Sequence, residues 1–315
     1  MADNSQKKRS YNGEIDEFIS RRYRVIARLN QGGTSEIFKA VDTADNSRVV
    51  IKILQSHDSG AHNNEKDDSR GKTLDISHRT IERSAEFMIQ EANFLKNCKH
   101  PNIIRLHDFD LNGQRPYIIL SYLGNNTLEK EIFKSSLNFS LKKTLEILKQ
   151  LCSALEYVHN KGFVYCDVKP SNVISRKQKF TLIDFGLVRP IGMPVIGGTL
   201  GYMAPEILEK DSNLLKASPT LDVYSLGVLL YELLTGFHPL ASHKFQGNEM
   251  ASIPFDAKTI LDKYAPPTLA SDLNLFLPKV FDQILLKCIH RNPEDRYQTM
   301  SSLLKDFENE AAKLI

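Results

Sequence analysis

The sequence predicts an α+β protein, strand-rich in its first 122 residues and helical after them. Three observations carry this. Short alternating or apolar runs at 22–29, 48–54, 103–109 and 116–122 suit strands. Longer apolar-striped stretches at 140–160, 219–235, 277–289 and 301–314 suit helices. And 315 residues, 41% hydrophobic and 25% charged, suffice for a sizeable core, as one two-lobed domain or as two small ones.

Residues 1–20 are polar and are expected to form a flexible tail, with Lys7-Lys8-Arg9 solvated. Arg22 to Leu29 alternates like a strand. In Leu29-Asn30-Gln31-Gly32-Gly33-Thr34-Ser35-Glu36-Ile37, small residues lie between apolar flanks, which suits a hairpin whose backbone N–H groups can approach a phosphate. A Gly-Gly pair alone marks only a turn. Arg48 to Leu54 is a strand that carries Lys52. From 56 to 78 the chain is hydrophilic, an expected flexible insertion, and His57, His62 and His78 are spaced too irregularly for a metal site. Thr80 to Cys98 is helical by pattern, with Phe87, Glu91 and Leu95 at four-residue steps on one face. A carboxylate among apolar neighbours needs a buried partner, and Lys52 is the candidate. Thr127 to Lys134 reads as a short helix. The helix at 140–160 has Leu148, Leu151, Leu155 and Val158 on one stripe, Ser140 as N-cap and Gly162 past its end. His159 near that end reads as structural. Pro219 to Thr235 is apolar nearly all round, hence a buried helix.

A formal net charge of +3 is too close to neutral to argue for nucleic acid or an anionic membrane. No apolar run reaches the length of about 18 residues that a spanning helix needs. The first residues are polar, so no secretory signal is expected. Cys98, Cys152, Cys166 and Cys288 lie far apart, without metal-ligand spacing. Free thiols in a reducing compartment, and so a cytoplasmic location, are the expectation. The oligomeric state stays open.

The chemistry concentrates in two places. Phe163-Val164-Tyr165-Cys166-Asp167-Val168-Lys169-Pro170-Ser171-Asn172-Val173-Ile174 sets a carboxylate, a lysine and an asparagine in a loop between apolar flanks. Asp184-Phe185-Gly186 follows the apolar run Phe180-Thr181-Leu182-Ile183. Two carboxylates, one carboxamide and one ammonium suit phosphoryl transfer. One carboxylate orients an attacking hydroxyl and accepts its proton, the other and the amide hold Mg²⁺, and the ammonium offsets charge on the moving group.

These motifs resemble the catalytic loop and metal-binding turn of the eukaryotic-like serine/threonine protein kinases, in the form bacteria carry. The resemblance runs from about Tyr23 to about Phe307. It implies the two-lobed kinase fold, with a small β-rich N-lobe and one main helix over 21–122, and a larger helical C-lobe over 123–311. It implies ATP, Mg²⁺ with Mn²⁺ as the alternative, and protein substrates that present Ser or Thr. By the same resemblance Asp167 is the catalytic base, Lys169 stabilises the γ-phosphate, Lys52 places the α- and β-phosphates, and Glu91 holds Lys52. Asn172 and Asp184 bind the metal. Leu29, Asn30, Gly32, Gly33, Ile37, Val50, Leu120, Ser121 and Leu123 surround the nucleotide, with Leu120 as gatekeeper and 120–123 as hinge. Thr199 positions substrate through Asp167 and Lys169. Glu206, in Ala204-Pro205-Glu206, pairs with Arg296, and Asp222 bonds the backbone of the catalytic loop.

The departures are informative. Asn30 and Ser35 stand at two glycine positions of the phosphate loop, which reads as a modified clamp. Val50 stands where alanine is usual and narrows the adenine pocket. The family's His-Arg-Asp is Tyr165-Cys166-Asp167. In many kinases that arginine receives a phosphate on the activation segment, and a cysteine cannot. The segment from Leu187 to Gly198 contains no Ser, Thr or Tyr. Receiver and acceptor are missing together, so activity without activation-segment phosphorylation is the expectation. Beside Asp167 a Cys166 thiolate is disfavoured, which predicts an inert thiol. Two other readings are kept: a nucleotide-binding pseudokinase scaffold, suggested by Asn30, Ser35, Val50 and Cys166, and a small-molecule kinase of related fold, opposed by the Ala-Pro-Glu turn, Asp222 and Arg296.

Overall fold

Strand alternation builds the first sheet. In β2 (Ser35–Asp42) every second residue is buried, as a sheet with one face on a core requires. The computed structural model describes residues 17–31, 35–54, 73–113, 115–134, 139–209, 215–241 and 267–314. These fall into two compact units: the chain up to Lys99 with Ile104–Leu123, and His100–Ile103 with the chain from Gly124 onward.

The first unit contains α1 (Glu17–Arg22), β1 (Tyr23–Gln31), β2, β3 (Arg48–Leu54), α2 (Thr73–Lys96), β4 (Leu106–Asp110) and β5 (Tyr117–Ser121). The strands form one antiparallel sheet in the order β1-β2-β3-β5-β4. Tyr23, Phe38, Ala40, Val49, Ile51, Ile53, Tyr117 and Ile119 make a core on one face. Ile19 of α1 completes this core, so the expected tail over 1–20 is corrected at its end. An apolar side chain just ahead of β1 has a face to bury, and burial orders the turn of chain that carries it. The rest of the expected tail, 1–16, lies outside the described residues.

Three other boundaries differ. The expected insertion over 56–78 lies outside the described residues up to 72, but α2 starts at Thr73, so its last residues are helical. The helix expected from Thr80 thus begins two turns earlier. The strand expected over 103–109 is β4, which starts only at Leu106. Ile103 instead bridges to Leu182. The side-chain amide of Asn102 donates to the Phe180 carbonyl at 2.7 Å, and Leu182 N donates to Asn102 O at 2.8 Å. These bonds tie His100–Ile103 to the second unit, although the sequence reading placed them with the first.

The second unit is mainly helical. Its helices are α3 (Leu128–Lys134), α4 (Leu141–Asn160), α5 (Pro205–Glu209), α6 (Pro219–Thr235), α7 (Ala270–Leu273), α8 (Val280–Cys288) and α9 (Met300–Ala311). Two short antiparallel pairs join them: β6 (Phe163–Val164) with β9 (Arg189–Pro190), and β7 (Val173–Arg176) with β8 (Lys179–Leu182). Ser140 caps α4 by accepting from Lys143 N, and Thr299 caps α9 by accepting from Ser302 N. Helix α6 starts with Pro219 behind its Ser218 cap and stops at Gly236 in the left-handed conformation. Nearly every residue of α6 is buried. It packs against α4 and α8, while α9 packs on α4 and α8. Phe281 and Phe307 meet edge to face at 5.0 Å.

At Gly227 on α6 the approach is backbone-close: a Cβ there would stand 2.4 Å from Cys288 Cβ and 2.9 Å from Ile289 Cγ2. Gly227→Ala is therefore expected to destabilise the protein by about 1–3 kcal/mol despite alanine's better helix propensity. Urea titration checks this through the transition midpoint.

Candidate functional site

In the first unit the antiparallel register puts Ile37 opposite Lys52 and Lys52 opposite Ile118, with Val50 opposite Leu120. Directly opposed residues share a face, so Ile37, Val50, Lys52 and Leu120 line the face away from the aromatic core. Glu91 on α2 is fully buried, and its Oε2 lies 2.7 Å from Lys52 Nζ. The carboxylate among apolar neighbours thus has a cation beside it, which offsets its desolvation. Ser121 N donates to the Arg105 carbonyl at 3.0 Å, and its Oγ lies 2.8 Å from His107 Nε2. Leu29 is half exposed on β1. Asn30 is described through its backbone, and Gly32 and Gly33 lie outside the described residues. Leu123 is the last residue of the unit.

In the second unit the loop between β6 and β7 gathers around Asp167, which is buried. Thr199 Oγ1 donates to Asp167 Oδ1 at 2.7 Å. Lys169 Nζ lies 2.8 Å from Asp167 Oδ2 and donates to Thr199 Oγ1 at 2.7 Å. The Asn172 amide donates to Asp167 Oδ2 at 2.7 Å and to the Asp167 carbonyl at 3.0 Å. Those two bonds use the Asn172 nitrogen, so its oxygen is the atom left to offer a cation. Asp184 follows β8 with an exposed carboxylate on a left-handed backbone, φ 60°. An amide oxygen and a carboxylate are the hard donors that Mg²⁺ prefers, so this pair fits the ion. Ile183 N donates to Asn172 O at 2.9 Å, which joins loop and turn.

Tyr165 supports that turn. Its hydroxyl donates to the Ile183 carbonyl, and its ring meets Phe185 edge to face at 4.9 Å. Beneath the loop, Asp222 on α6 takes Tyr165 N at 2.9 Å on Oδ2 and Cys166 N at 2.8 Å on Oδ1. His159 Nε2 reaches the same Oδ2 at 2.8 Å. The sequence reading left His159 without a partner, because nothing in one helix names a contact on another. Cys166 sits at φ 68°, a region that costs a side-chain-bearing residue about 1–2 kcal/mol. Asp222 holds it there. Burial, then Asp222, pushes the Cys166 thiol well up, while Arg189 acts the other way.

Glu206 and Arg296 form a bidentate pair at 2.8 and 2.7 Å. The guanidinium also donates to the carbonyls of His290, Arg291 and Thr220, so a fully enclosed cation has its donors matched.

The segment between Phe185 and Thr199 is held by main-chain bonds. β9 pairs with β6, and Ile191 N donates to Gly162 O at 2.8 Å. Gly192 N donates to Ala217 O at 2.9 Å, Ala217 N to Met193 O at 2.8 Å and Val195 N to Leu215 O at 3.0 Å. Past Thr199, Tyr202 Oη donates to Glu232 Oε2 at 2.7 Å, Ser225 Oγ donates to Tyr202 O at 2.7 Å and His238 Nε2 donates to Gly201 O at 2.9 Å. Burial raises the Glu232 carboxyl to about 7, opposed by the Tyr202 bond and helped by Glu129.

Two predictions follow from these environments. The folded chain keeps a proton on Glu232 up to about pH 7, while the unfolded chain releases it near the ordinary value of 4.5. Between those values the native state binds the extra proton, so rising pH costs stability, and the loss is complete above the folded value. Glu232→Gln lacks this proton. Its stability relative to wild type is expected to rise by about 1–3 kcal/mol from pH 4 to pH 8, read by denaturant titration at each pH. Separately, burial raises the thiols of Cys152, Cys166 and Cys288, whereas Cys98 is partly exposed. Brief alkylation of the native protein at pH 8, mapped by mass spectrometry, is expected to mark Cys98 alone among the four.

The chain is similar to known sequences over most of its length. The family model described as the protein kinase domain matches residues 23–307. A protein named probable serine/threonine-protein kinase in Clostridium acetobutylicum is 27% identical over 305 residues, 94% of this chain and 41% of that protein. Serine/threonine-protein kinase PknL of Mycobacterium tuberculosis is 29% identical over 306 residues, 94% of this chain and 67% of PknL. PknB of the same organism is 29% identical over 307 residues, 92% of this chain and 43% of PknB. The chain thus spans less than half the length of the clostridial protein and of PknB.

Proposed function

This chain belongs to the protein kinase family, and we propose that it transfers the γ-phosphoryl group of ATP to serine and threonine hydroxyls of proteins. The observation that carries the proposal is the cluster of Asp167, Lys169, Asn172 and Thr199. Asp167 already accepts a bond from an alcohol, Thr199, at 2.7 Å, which is the geometry a general base needs toward a substrate hydroxyl. Lys169, bonded to the same two residues, sets a positive charge where the γ-phosphoryl group would develop negative charge. Asn172 keeps Asp167 oriented through its amide nitrogen. Asn172 and Asp184 would hold Mg²⁺, which supplies charge neutralisation on the β- and γ-phosphate oxygens. Lys52, fixed by Glu91, takes the α- and β-phosphates. The lysine–threonine–aspartate contact and the serine/threonine-protein kinase names of the relatives both favour Ser/Thr acceptors, and protein substrates follow from the family.

The finer reading is that activity needs no phosphate on the activation segment. Cys166 cannot receive one, and Leu187–Gly198 offers no hydroxyl to carry one. The main-chain bonds of Gly192, Met193 and Val195 to Leu215 and Ala217 supply the ordering that a phosphate supplies elsewhere.

Labelled ATP with Mg²⁺ and a generic basic protein test both statements. Wild type is expected to label Ser and Thr, and Asp167→Asn to lose about 10²–10⁴-fold in rate. Prior phosphatase treatment is expected to leave the wild-type rate unchanged, and a drop would end the phosphate-free reading. No label from either form, with nucleotide still bound, would establish the scaffold alternative.

A further inference from the structure

Three charged side chains lie on the face of the first sheet opposite Lys52. Glu36 of β2 is buried. Arg28 of β1 donates to its Oε1, and Arg115, ahead of β5, donates to its Oε2 at 2.9 Å. The Arg28 guanidinium also lies over the Phe38 ring, 5.9 Å from its centroid. Two cations therefore share one carboxylate. Among the described residues, the Nε atoms of Arg28 and Arg115 are buried with no hydrogen-bond partner.

As a stability device this is poor. A sealed, unpaired donor costs stability, and buried ion clusters are often no better than apolar packing. What such clusters do well is fix register. Register is at issue here. The β1–β2 pairing shifts between Val25 and Ala27 and again between Arg28 and Asn30. Arg28 opposes Phe38 and Asn30 opposes Ile37, so Leu29 is the extra residue of a bulge. A bulge re-aims the side chain it carries. A slip by one residue would send neighbouring side chains to the other face. Ile37 follows Glu36 directly and shares a face with Lys52.

We propose that Glu36 is a positioning residue for the nucleotide. By holding Arg28 of β1 on one side and Arg115, ahead of β5, on the other, Glu36 locks the bulge that carries Leu29 next to the Asn30–Ile37 pair. Those two apolar side chains are then presented to the nucleotide in one arrangement. The inference rests on the reading of this chain as an ATP-binding enzyme.

The test is the dissociation constant of a fluorescent ATP analogue with Mg²⁺, measured on the full chain, beside steady-state kinetics and melting temperature. Glu36→Gln keeps size and removes the charge that holds both arginines. Its dissociation constant is expected to rise about tenfold, with the loss in KM for ATP and not in kcat. Glu36→Asp, which restores the charge, is expected to recover part of the affinity. Should Glu36→Gln not fold, Glu36→Asp and Arg115→Gln carry the same comparison. An unchanged dissociation constant, with or without a lower melting temperature, overturns the proposal and leaves the ATP reading standing. No binding by the wild type overturns both.

Discussion

One carboxylate organises the second unit. Asp222 projects from a helix with almost no exposed residue and accepts two consecutive main-chain N–H groups, those of Tyr165 and Cys166. A buried anion must find donors, and a loop that must reverse direction has N–H groups to give. Their match fixes the backbone immediately before Asp167. It also maintains Cys166 in a left-handed conformation that the residue would not choose alone. His159 completes the arrangement from a second helix. The backbone ahead of Asp167 is therefore positioned from core helices, while Lys169 and Asn172 orient the carboxylate from within the loop.

The same logic recurs at the proposed catalytic groups. Asp167 takes bonds from Thr199, Lys169 and Asn172, and Glu91 takes Lys52. Each carboxylate sits within reach of a cation or several polar hydrogens, and each lysine has its position set by a neighbour. Such preorganisation is what electrostatic catalysis needs, because little reorganisation remains when charge develops.

Much of this was legible in the residues, and the rest was hidden for identifiable reasons. Glu91 needed a buried cation by simple desolvation, and Lys52 was the one lysine on the neighbouring strand. The Ser140 start follows from capping chemistry that a sequence displays openly, and α6 from its nearly unbroken apolar run. In contrast, Ile19 looked like one of a few scattered apolar residues in a polar tail, since its burial depends on a sheet formed by distant strands. The start of α2 was missed because Thr73 to Arg79 carries too little apolar periodicity. The conformation of Cys166 left no trace, as cysteine is not a turn residue. Arg28, Glu36 and Arg115 drew no reading from the sequence, because nothing in their spacing says that the folded sheet brings them together. The main-chain bonds between 192–195 and 215–217 are invisible to any argument from side chains.

Those last bonds have a consequence for how such a molecule could be governed. A segment ordered by phosphate keeps a memory: it stays on after the signal has gone, until something erases the mark. A segment ordered by its own backbone keeps none. On the proposed reading, the bonds of Gly192, Met193 and Val195 to Leu215 and Ala217 hold such a segment without a mark that could be removed. Erasing phosphate from residues 187–198 is then no route to control, because no hydroxyl stands there to carry one.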